Sequence, residues 1–402
     1  MAKKKESNRN IRAGMDQAKS SAADTYDVLV IGAGPAGSAA AKAAAEGGAE
    51  TILLEEHHRI GIPSHCTGAL HSSARPDILT AILETMDKRV VIRKPGDYTK
   101  TQLFAPDGSA LQSDEWPSHR YLIDRAVFDQ ELAKQAVRAG AKLLLNTRVT
   151  GLIKKNNRII GVTTASRSLP EVFCKIVIAA DGIAGGVRGV AKWEGLIAED
   201  QAYVGGITME LTGLKDCYHK AGLYTGAYLE KGWFSITPSG PHSCIVQFMN
   251  LDEYKRVMEG NYYLSQILKN TVPIRMDGWR HTSNLGVRFR EIVKDGLILT
   301  GSAANWRGTT VAVVSGRCAG EVAAEAVKEG DVTARRLSEF IDLYEKAGLI
   351  KELYQHSDWL RSRPLGRLSD EEIEKWLTEM IKKNGQTYIP SAPVLGFHGR
   401  CS

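Results

Sequence analysis

The sequence lacks the marks of several protein classes. Its six cysteines are scattered, with no Cys-x-x-Cys pair and no nearby histidine set at metal-ligand spacing, so we predict neither a metal site nor a disulfide framework. No stretch approaches the roughly 20 consecutive apolar residues that span a bilayer. The first residues also lack the apolar core of a secretory signal, and we therefore expect a cytoplasmic protein with reduced thiols.

Positively charged residues outnumber negatively charged ones by only a small margin. A formal net charge of +6 over 402 residues, with no basic stripe interleaved with aromatic residues, gives little reason to expect nucleic-acid binding. Residues 1–24 are rich in Lys and Arg and poor in apolar anchors, which predicts a basic flexible tail. Such a tail is compatible with peripheral contact at the anionic inner face of a membrane.

A βαβ unit opens the rest of the chain. The apolar run Val28–Ile31 predicts a strand, Pro35–Glu46 an alanine-rich helix, and Thr51–Leu54 a second strand. Further along, the pair Asn156–Asn157 lies between two apolar runs and predicts a hairpin. Strand-like segments rich in glycine and aromatic residues, from about residue 203 to 249, predict a second sheet.

The turn between the first strand and the helix has the sequence Gly-Ala-Gly-Pro-Ala-Gly at residues 32–37. Gly32 permits the tight turn, Gly34 lets the backbone approach a pyrophosphate, and Gly37 lets helix and strand pack closely. Pro35 and Ala36 open the helix, whose free N–H groups and dipole attract phosphates. The arrangement predicts a dinucleotide site.

An acidic pair follows the second strand. Glu55, with Glu56 after it, is placed to accept hydrogen bonds from an adenosine ribose and disfavours a 2′-phosphate there. The alternative to a dinucleotide site is a packing turn without a ligand. The glycine motif alone does not separate FAD from NAD.

Four further segments are informative by their order. They read Ile-Gly-Ile-Pro-Ser-His-Cys-Thr-Gly at 60–68, Tyr-Leu-Ile-Asp-Arg-Ala-Val-Phe-Asp at 121–129, Ala-Ala-Asp-Gly at 179–182 and Gly-Ser-Ala-Ala-Asn at 301–305. Following the glycine motif in this order, they resemble the geranylgeranyl reductase family of FAD enzymes. The family belongs with the hydroxybenzoate-hydroxylase-like flavoproteins.

The resemblance implies an α/β fold, in which a Rossmann-type FAD-binding lobe is joined to a β-sheet substrate lobe and C-terminal helices. We assign 25–200 and 291–330 to the FAD-binding lobe, 201–290 to the substrate lobe and 331–402 to the helical region. The resemblance also implies FAD as cofactor and reduction of carbon–carbon double bonds in an isoprenoid or prenyl lipid. No second glycine-loop unit is visible, so the expected electron donor is transiently bound NAD(P)H or a ferredoxin-like protein.

Further cofactor contacts are implied by the resemblance, each with a structural alternative. Arg125 would bind the pyrophosphate or form a surface salt bridge. Val149 would address adenine through its backbone or pack in the core. Asp181 and Gly182 would pass beside the cofactor or form an Asp-capped turn.

The segment Gly301–Asn305 departs from the family pattern. Ser302 stands where the family carries an acidic residue that holds the flavin ribityl chain, and the following loop is shortened. A serine hydroxyl still hydrogen-bonds, with less strength than a carboxylate. The next helix, capped by Thr309 or Thr310, would point its N-terminus at the flavin and favour the anionic reduced form.

The substrate side is read from a similar strand. The segment 232–238 is similar to a Trp- and Pro-containing strand that lines the substrate face in the reductases and in flavin halogenases, which makes Trp233 a candidate catalytic residue. Cys66 occupies the family's cysteine position beside the flavin, where it would supply a proton or be a small buried side chain. The aromatic residues of this region would either wall an apolar tunnel or pack in the core; they are Tyr224, Tyr228, Trp233 and Phe234.

Two other functions stay open from the sequence. A flavin monooxygenase of the same fold would consume oxygen, whereas a flavin-poor relative would serve as a lipid-binding or electron-transfer subunit. Product analysis with and without oxygen separates the first from a reductase, and the absorbance spectrum of the purified protein separates the second.

Overall fold

The structure is a computed structural model of the chain. It describes residues 25–71, 75–93, 101–113, 120–183, 189–196, 203–220, 222–230, 233–282, 292–306, 308–350, 369–375, 379 and 387–389. The predicted tail at 1–24 lies outside the described residues.

The regular elements of the described residues are numbered here in chain order. The strands are β1 (Thr25–Ile31), β2 (Thr51–Leu54), β3 (Ala69–His71), β4 (Thr101–Phe104), β5 (Ala110–Ser113), β6 (Arg120–Leu122), β7 (Lys142–Leu144), β8 (Val149–Lys155), β9 (Arg158–Thr164), β10 (Glu171–Ala179), β11 (Tyr203–Thr212), β12 (Gly222–Thr225), β13 (Trp233–Gly240), β14 (Ser243–Phe248), β15 (Val272–Thr282), β16 (Val293–Lys294), β17 (Leu297–Leu299) and β18 (Thr387–Ile389). The helices are α1 (Pro35–Glu46), α2 (Pro76–Glu84), α3 (Lys88–Val91), α4 (Arg125–Arg138), α5 (Val190–Trp193), α6 (Leu251–Glu259), α7 (Tyr263–Leu268), α8 (Thr309–Glu329), α9 (Ala334–Leu337) and α10 (Glu339–Lys346).

The first large sheet has the strand order β16-β17-β10-β1-β2-β7, and β9 joins β8 to β10. Strand β1 runs parallel to both of its neighbours, β2 and β10. Residues Val28–Val30 are fully buried, as expected for a central parallel strand that is covered on both faces. The predicted βαβ opening and the α/β fold with a Rossmann-type lobe are confirmed.

The predicted hairpin is also confirmed. Strands β8 and β9 pair antiparallel, and the two residues between them, Asn156 and Asn157, have φ of 51° and 65°. A two-residue turn of this kind requires positive φ at both positions, which asparagine tolerates better than most residues.

Helices α1 and α8 pack together through small residues. A Cβ at Gly316 would collide with the carbonyl oxygen of Ala36, and a Cβ at Gly320 would collide with that of Ala40. Only glycine allows so close an approach at these two positions. The contact holds the N-termini of α1 and α8 at the same cavity, which both helices help to line.

The second large sheet has the order β15-β11-β14-β13-β12-β4-β5-β18. Two of its parts come from outside the range 201–290 that the sequence assigned to the substrate lobe. Strands β4 and β5, from the range 25–200, join because β4 pairs parallel with β12. Strand β18, from the range 331–402 assigned to helices, pairs antiparallel with β5.

The aromatic residues of the second sheet pack in its core. Tyr224 and Phe234 are each 1% exposed, and Tyr224 stacks on Phe104 with ring centroids 4.3 Å apart. Tyr228 stacks on Tyr262, with centroids 3.9 Å apart. The core alternative is therefore correct for Tyr224 and Phe234, because the sheet face that carries them is covered by α6 and α7. Tyr228 is half-buried in the turn after β12 and packs against the same core.

Candidate cofactor site

A cavity of about 800 Å³ gathers residues from both large sheets. Its walls come from the loop after β1, the ends of β2 and β10, the starts of β8, α4 and α8, and from Gln247 and Arg280 of the second sheet. The predicted site residues that line it are Gly32, Gly34, Pro35, Ala36, Glu55, Glu56, Cys66, Arg125, Val149, Asp181, Gly182 and Ser302.

Two predicted site residues, Gly37 and Gly301, are not among those that line the cavity. Gly37 lies behind the glycine loop, where a Cβ would collide with the carbonyl oxygen of Gly32. Gly301 has φ of +60°, and its Cβ would lie 2.8 Å from the Cβ of Ala36. Trp233 begins β13, but its side chain lies outside the described part of the structure.

The glycine loop leaves room for a ligand at one position. Gly32 has φ of +91°, and a Cβ there would lie 2.7 Å from the carbonyl oxygen of Ala180. By contrast, a Cβ at Gly34 would meet nothing within 4 Å, and Gly34 lines the cavity. A side chain at Gly34 would thus take up ligand space without disturbing the protein around it.

Glu55 links the end of β2 to the glycine loop. Its carboxylate is buried and accepts hydrogen bonds from Ala33 N at 2.8 Å through Oε2 and from His57 N at 2.9 Å through Oε1. The imidazole Nδ1 of His57 also lies 2.7 Å from Oε1. Because an ionised carboxylate has about four acceptor positions, Glu55 retains capacity for a ribose hydroxyl.

Asp181 lines the cavity, and only one of its two carboxylate oxygens accepts a hydrogen bond from the described residues. Its Oδ2 accepts a hydrogen bond from Val190 N at 3.0 Å. Its Oδ1 is buried and has no hydrogen-bond partner among the described residues. Burial raises the pKa of Asp181 to about 6, the Val190 N–H opposes the rise, and the charge of Glu56 adds to it. The free oxygen is a position where a ligand hydroxyl can donate a hydrogen bond.

This pKa predicts a pH dependence of the apoprotein's stability. The folded state holds the Asp181 proton up to about pH 6, whereas the unfolded chain releases it near pH 4, so this group lowers stability as pH rises from about 4 to 6. Asp181→Asn keeps an acceptor for Val190 and removes the titration. We expect the variant to gain up to about 3 kcal/mol relative to wild type across this interval. Urea unfolding of both proteins from pH 4 to 7 measures it; parallel curves would contradict the assignment.

Arg125 connects several elements at the cavity. Its Nε donates to Asp129 Oδ1 at 2.7 Å, and its Nη1 donates to Thr309 Oγ1 at 3.3 Å. Burial opposes the charged form, but the Asp129 carboxylate and the neighbouring Cys66 sulfur raise the pKa of Arg125 overall. Arg125 is therefore a fixed cation beside Cys66, and the surface salt-bridge alternative does not describe it.

The loop that precedes β3 is bound to the second sheet. The carbonyl oxygen of Ser64 accepts a hydrogen bond from Arg275 Nη1 at 2.7 Å. The carbonyl oxygen of His65 accepts from Thr208 Oγ1 at 3.1 Å and from Gln247 Nε2 at 3.0 Å. The loop that carries Cys66 is thus held between the two large sheets.

His65 borders the cavity beside Cys66. Burial lowers the pKa of His65, the positive charge of Arg125 lowers it further, and Asp277 opposes both. The imidazole is therefore neutral at pH 7. It can donate or accept a hydrogen bond in the cavity, but it does not act there as a cation.

The N-terminus of α8 also borders the cavity. The helix begins at Thr309 with Gly308 in the cap position at φ +111°, so the prediction that Thr309 or Thr310 caps it is wrong. Thr309 instead accepts the hydrogen bond from Arg125, and Thr310 is 2% exposed. Ser302 lies in the turn Gly301–Ala304 just before this helix and lines the cavity.

Several lining residues were not assigned from the sequence. Asp129 follows Arg125 by four residues on a helix, and this spacing was a usable sign of an ion pair. His65 lies in the segment 60–68 that carries the family resemblance, next to Cys66, but was given no role of its own. Trp193 and Arg280 lie in segments without a motif, so only the fold brings them to the cavity.

These features fit a bound FAD. The open space at Gly34 faces the N-terminus of α1, where a pyrophosphate is favoured by N–H groups and the helix dipole. Glu55 and the free oxygen of Asp181 offer acceptors to hydroxyl groups, and Arg125 offers a buried cation. Among the described residues there is no cluster of His, Cys, Asp or Glu that could hold a metal ion.

Comparison with known proteins agrees with this fit. The profile of the family described as FAD dependent oxidoreductase matches residues 27–191. Digeranylgeranylglycerophospholipid reductase 1 of Methanothermobacter thermautotrophicus is 30% identical over 335 residues, which cover 78% of this chain and 81% of the relative. The chain belongs to the geranylgeranyl reductase family. It is an FAD-dependent oxidoreductase.

Two further members or neighbours extend the match. Digeranylgeranylglycerophospholipid reductase 2 of Methanosphaera stadtmanae is 29% identical over 90% of this chain and 93% of its own length. The crystal structure of a geranylgeranyl bacteriochlorophyll reductase-like protein from Thermoplasma acidophilum superposes with a TM-score of 0.74 at 24% identity, covering 88% of this chain and 91% of that one. The fold of the family is thus present in both large sheets. In the part of the chain that the structure describes, no helix is both long enough and apolar enough to cross a membrane.

Proposed function

We propose that this member of the family reduces carbon–carbon double bonds in the isoprenoid chains of a prenyl phospholipid, with FAD as its cofactor. The observation that carries the proposal is the similarity over 90% of the chain to a relative that is named for this activity. A match of that extent includes the cofactor cavity and the second sheet, so it concerns the whole catalytic unit and not the nucleotide lobe alone.

Different residues of the cavity would have different roles in this reaction. The loop at 32–37, Glu55 and Asp181 would hold FAD, which supplies the electrons for the double bond when it is bound. Cys66 would supply the proton that the second carbon of the double bond takes up. The Sγ of Cys66 accepts a hydrogen bond from Gly68 N at 3.4 Å and adjoins the guanidinium of Arg125. A fixed cation there stabilises the thiolate that remains after proton transfer.

The second sheet offers the contact for a lipid head group. Arg280 lines the cavity from β15, and its guanidinium makes no hydrogen bond or ion pair with the residues that the structure covers. An arginine in this state can pair with an anionic phosphate. The basic range 1–24 would add a weak, salt-sensitive attraction to an anionic membrane.

Transiently bound NAD(P)H or a ferredoxin-like protein would deliver the electrons.

Anaerobic turnover tests the proposal. FAD-loaded protein is reduced with dithionite, which bypasses the natural donor, and mixed with anionic vesicles of an unsaturated digeranylgeranyl phospholipid at low and high salt. We expect oxidised flavin and a lipid that has gained two hydrogen atoms per reduced double bond. Cys66→Ala should slow this reaction by roughly a hundredfold, the usual size of a lost general acid, and leave the flavin spectrum unchanged.

Vesicles of the fully saturated lipid are the matched control and should leave the flavin reduced. If the unsaturated lipid also leaves it reduced, while oxygen and an aromatic substrate restore turnover, a flavin monooxygenase is the correct function. A protein that retains no FAD at all would support a lipid-binding or electron-transfer subunit.

A further inference from the structure

Trp193 is the aromatic side chain of the cofactor cavity. Among the described residues that line the cavity, it is the only Trp, Tyr or Phe. The indole is 37% exposed, unlike the buried aromatic residues of the second sheet. Val149 and Thr150, at the start of β8, line the same cavity as Trp193. Glu55 and Glu56 also border it and mark the adenosine end, since an acidic residue after β2 addresses the ribose. Thr147 N, just before β8, donates to the carbonyl oxygen of Glu55 at 2.8 Å, and α5 packs against β8, which places Trp193 toward that end.

The short helix α5, which ends at Trp193, is tied at its start to Asp181. Val190 N donates to Asp181 Oδ2 at 3.0 Å. This bond joins the helix to the end of β10, whose residues 180–182 also line the cavity. The start of α5 therefore has a fixed position relative to the cofactor site.

A charge cluster, in which the two lysines are 42% and 37% exposed, ties the other end of the same helix. Glu194 follows Trp193, and its side chain is only 3% exposed. Its carboxylate lies 2.6 Å from Lys154 Nζ and 3.1 Å from Lys294 Nζ. Lys294 Nζ also donates to the backbone carbonyl of Glu194 at 2.8 Å. The two lysines belong to β8 and β16, so the residue next to Trp193 is fixed to two strands of the first sheet.

Trp193 is held through its helix and its neighbour Glu194, is 37% exposed and lines the cavity, so a ligand in the cavity can contact its indole. The ring planes of nucleic bases stack on aromatic side chains, and the adenine of FAD is a purine ring of the same kind. We propose that Trp193 is the stacking platform for the adenine ring of bound FAD, held in position by Asp181 and by the Lys154, Glu194 and Lys294 cluster. The proposal rests on FAD in this cavity and is independent of which lipid is reduced.

Binding to the flavin-free protein tests it. Titration calorimetry with FAD and with ADP, which shares the adenosine and pyrophosphate but has no flavin, compares wild type with Trp193→Ala, Trp193→Leu and Trp193→Phe. We expect Trp193→Ala and Trp193→Leu to weaken both ligands by about five- to a hundredfold, the range of one lost base stack. Trp193→Phe should restore most of the affinity, because it keeps an aromatic ring.

Leu251→Ala is the matched control, since it truncates another exposed apolar side chain, 45% exposed, on α6 of the second sheet. It should change neither affinity. The proposal is overturned if Trp193→Leu binds ADP as well as Trp193→Phe does, or if none of the variants changes affinity. The proposal is also overturned if the ligand-free Trp193→Ala and Trp193→Leu proteins melt at lower temperatures and the variant that melts lowest also binds most weakly. Trp193 would then act through folding and not through contact with the ligand. These results do not depend on lipid turnover, so failure of the proposed reductase activity remains a separate outcome.

Discussion

Gly34→Val is expected to abolish FAD retention and to leave the ligand-free protein folded. A Cβ at this position meets nothing within 4 Å, so the valine has room in the absence of the cofactor. Gly34 also has φ of −72° and ψ of −174°, which a valine adopts without strain. With FAD, the same side chain would occupy the space that the pyrophosphate needs at the N-terminus of α1. The absorbance spectrum and the FAD content of the purified variant measure the loss.

Gly37→Ala provides the contrast within the same loop. Its methyl group would collide with the Gly32 carbonyl, so this variant should lose thermal stability with or without FAD. Gly34→Val should instead melt at the temperature of flavin-free wild type. If Gly34→Val retains flavin, the pyrophosphate does not approach the loop here; if it unfolds, the free space at this position has been misassigned.

Arg125→Met is expected to cost about 3–5 kcal/mol in the free energy of unfolding at neutral pH, because it leaves a buried carboxylate without its partner. The side chains of Arg125 and Asp129 are 18% and 8% exposed, and their ion pair is 2.7 Å long. FAD binding should fall as well, since Arg125 is the buried cation of the cofactor cavity. Urea unfolding and FAD titration measure the two effects.

The pH dependence of this variant identifies the cause of its instability. Burial already raises the pKa of Asp129, and loss of Arg125 removes the charge that opposes the rise. Relative to wild type, the variant should therefore lose least stability below about pH 4, where the carboxyl is protonated in folded and unfolded chains alike, and should lose more as pH rises. The double variant Arg125→Met/Asp129→Leu removes the carboxyl and should regain most of the loss at neutral pH. If the double variant does not regain stability, the loss in Arg125→Met is due to lost packing and not to the unpaired carboxylate.

The elements predicted from the sequence were those whose causes are local. The glycine loop, the proline at the start of α1 and the asparagine pair of the β8–β9 hairpin each determine the backbone within a few residues. The range 25–200 was assigned to the FAD-binding lobe, and the sequence did not reveal that β4, which lies within it, pairs with β12 more than a hundred residues away. Pro106–Gly108 does carry a typical turn sequence between β4 and β5, but a turn does not reveal which sheet the hairpin joins.

The same limit applies to the site. Residues at the ends of strands and helices in the βαβ unit were predicted to meet, because the order of parallel strands brings them to one edge. The spacing of Tyr224 and Phe234 could not show which face of their two strands the helices α6 and α7 cover, so an apolar tunnel and a packed core had equal support from the sequence. Trp193 was missed because its helix takes its position from Asp181 and from charges on two distant strands, and none of these contacts leaves a pattern in the chain.

The hydrogen bonds that hold the Ser64–Thr67 loop make Cys66 part of a mechanical linkage between the two halves of the molecule. The bonds at the Ser64 and His65 carbonyls come from β11, β14 and β15, three adjacent strands of the second sheet. The carbonyl oxygen of Gly68, two residues after Cys66, accepts a hydrogen bond from Ile123 N at 2.8 Å, which ties the same loop to the segment before α4. A relative motion of the two large sheets would therefore act on the loop from both sides. In the reaction proposed above, such a motion would change the alignment of the Cys66 sulfur with its reaction partners.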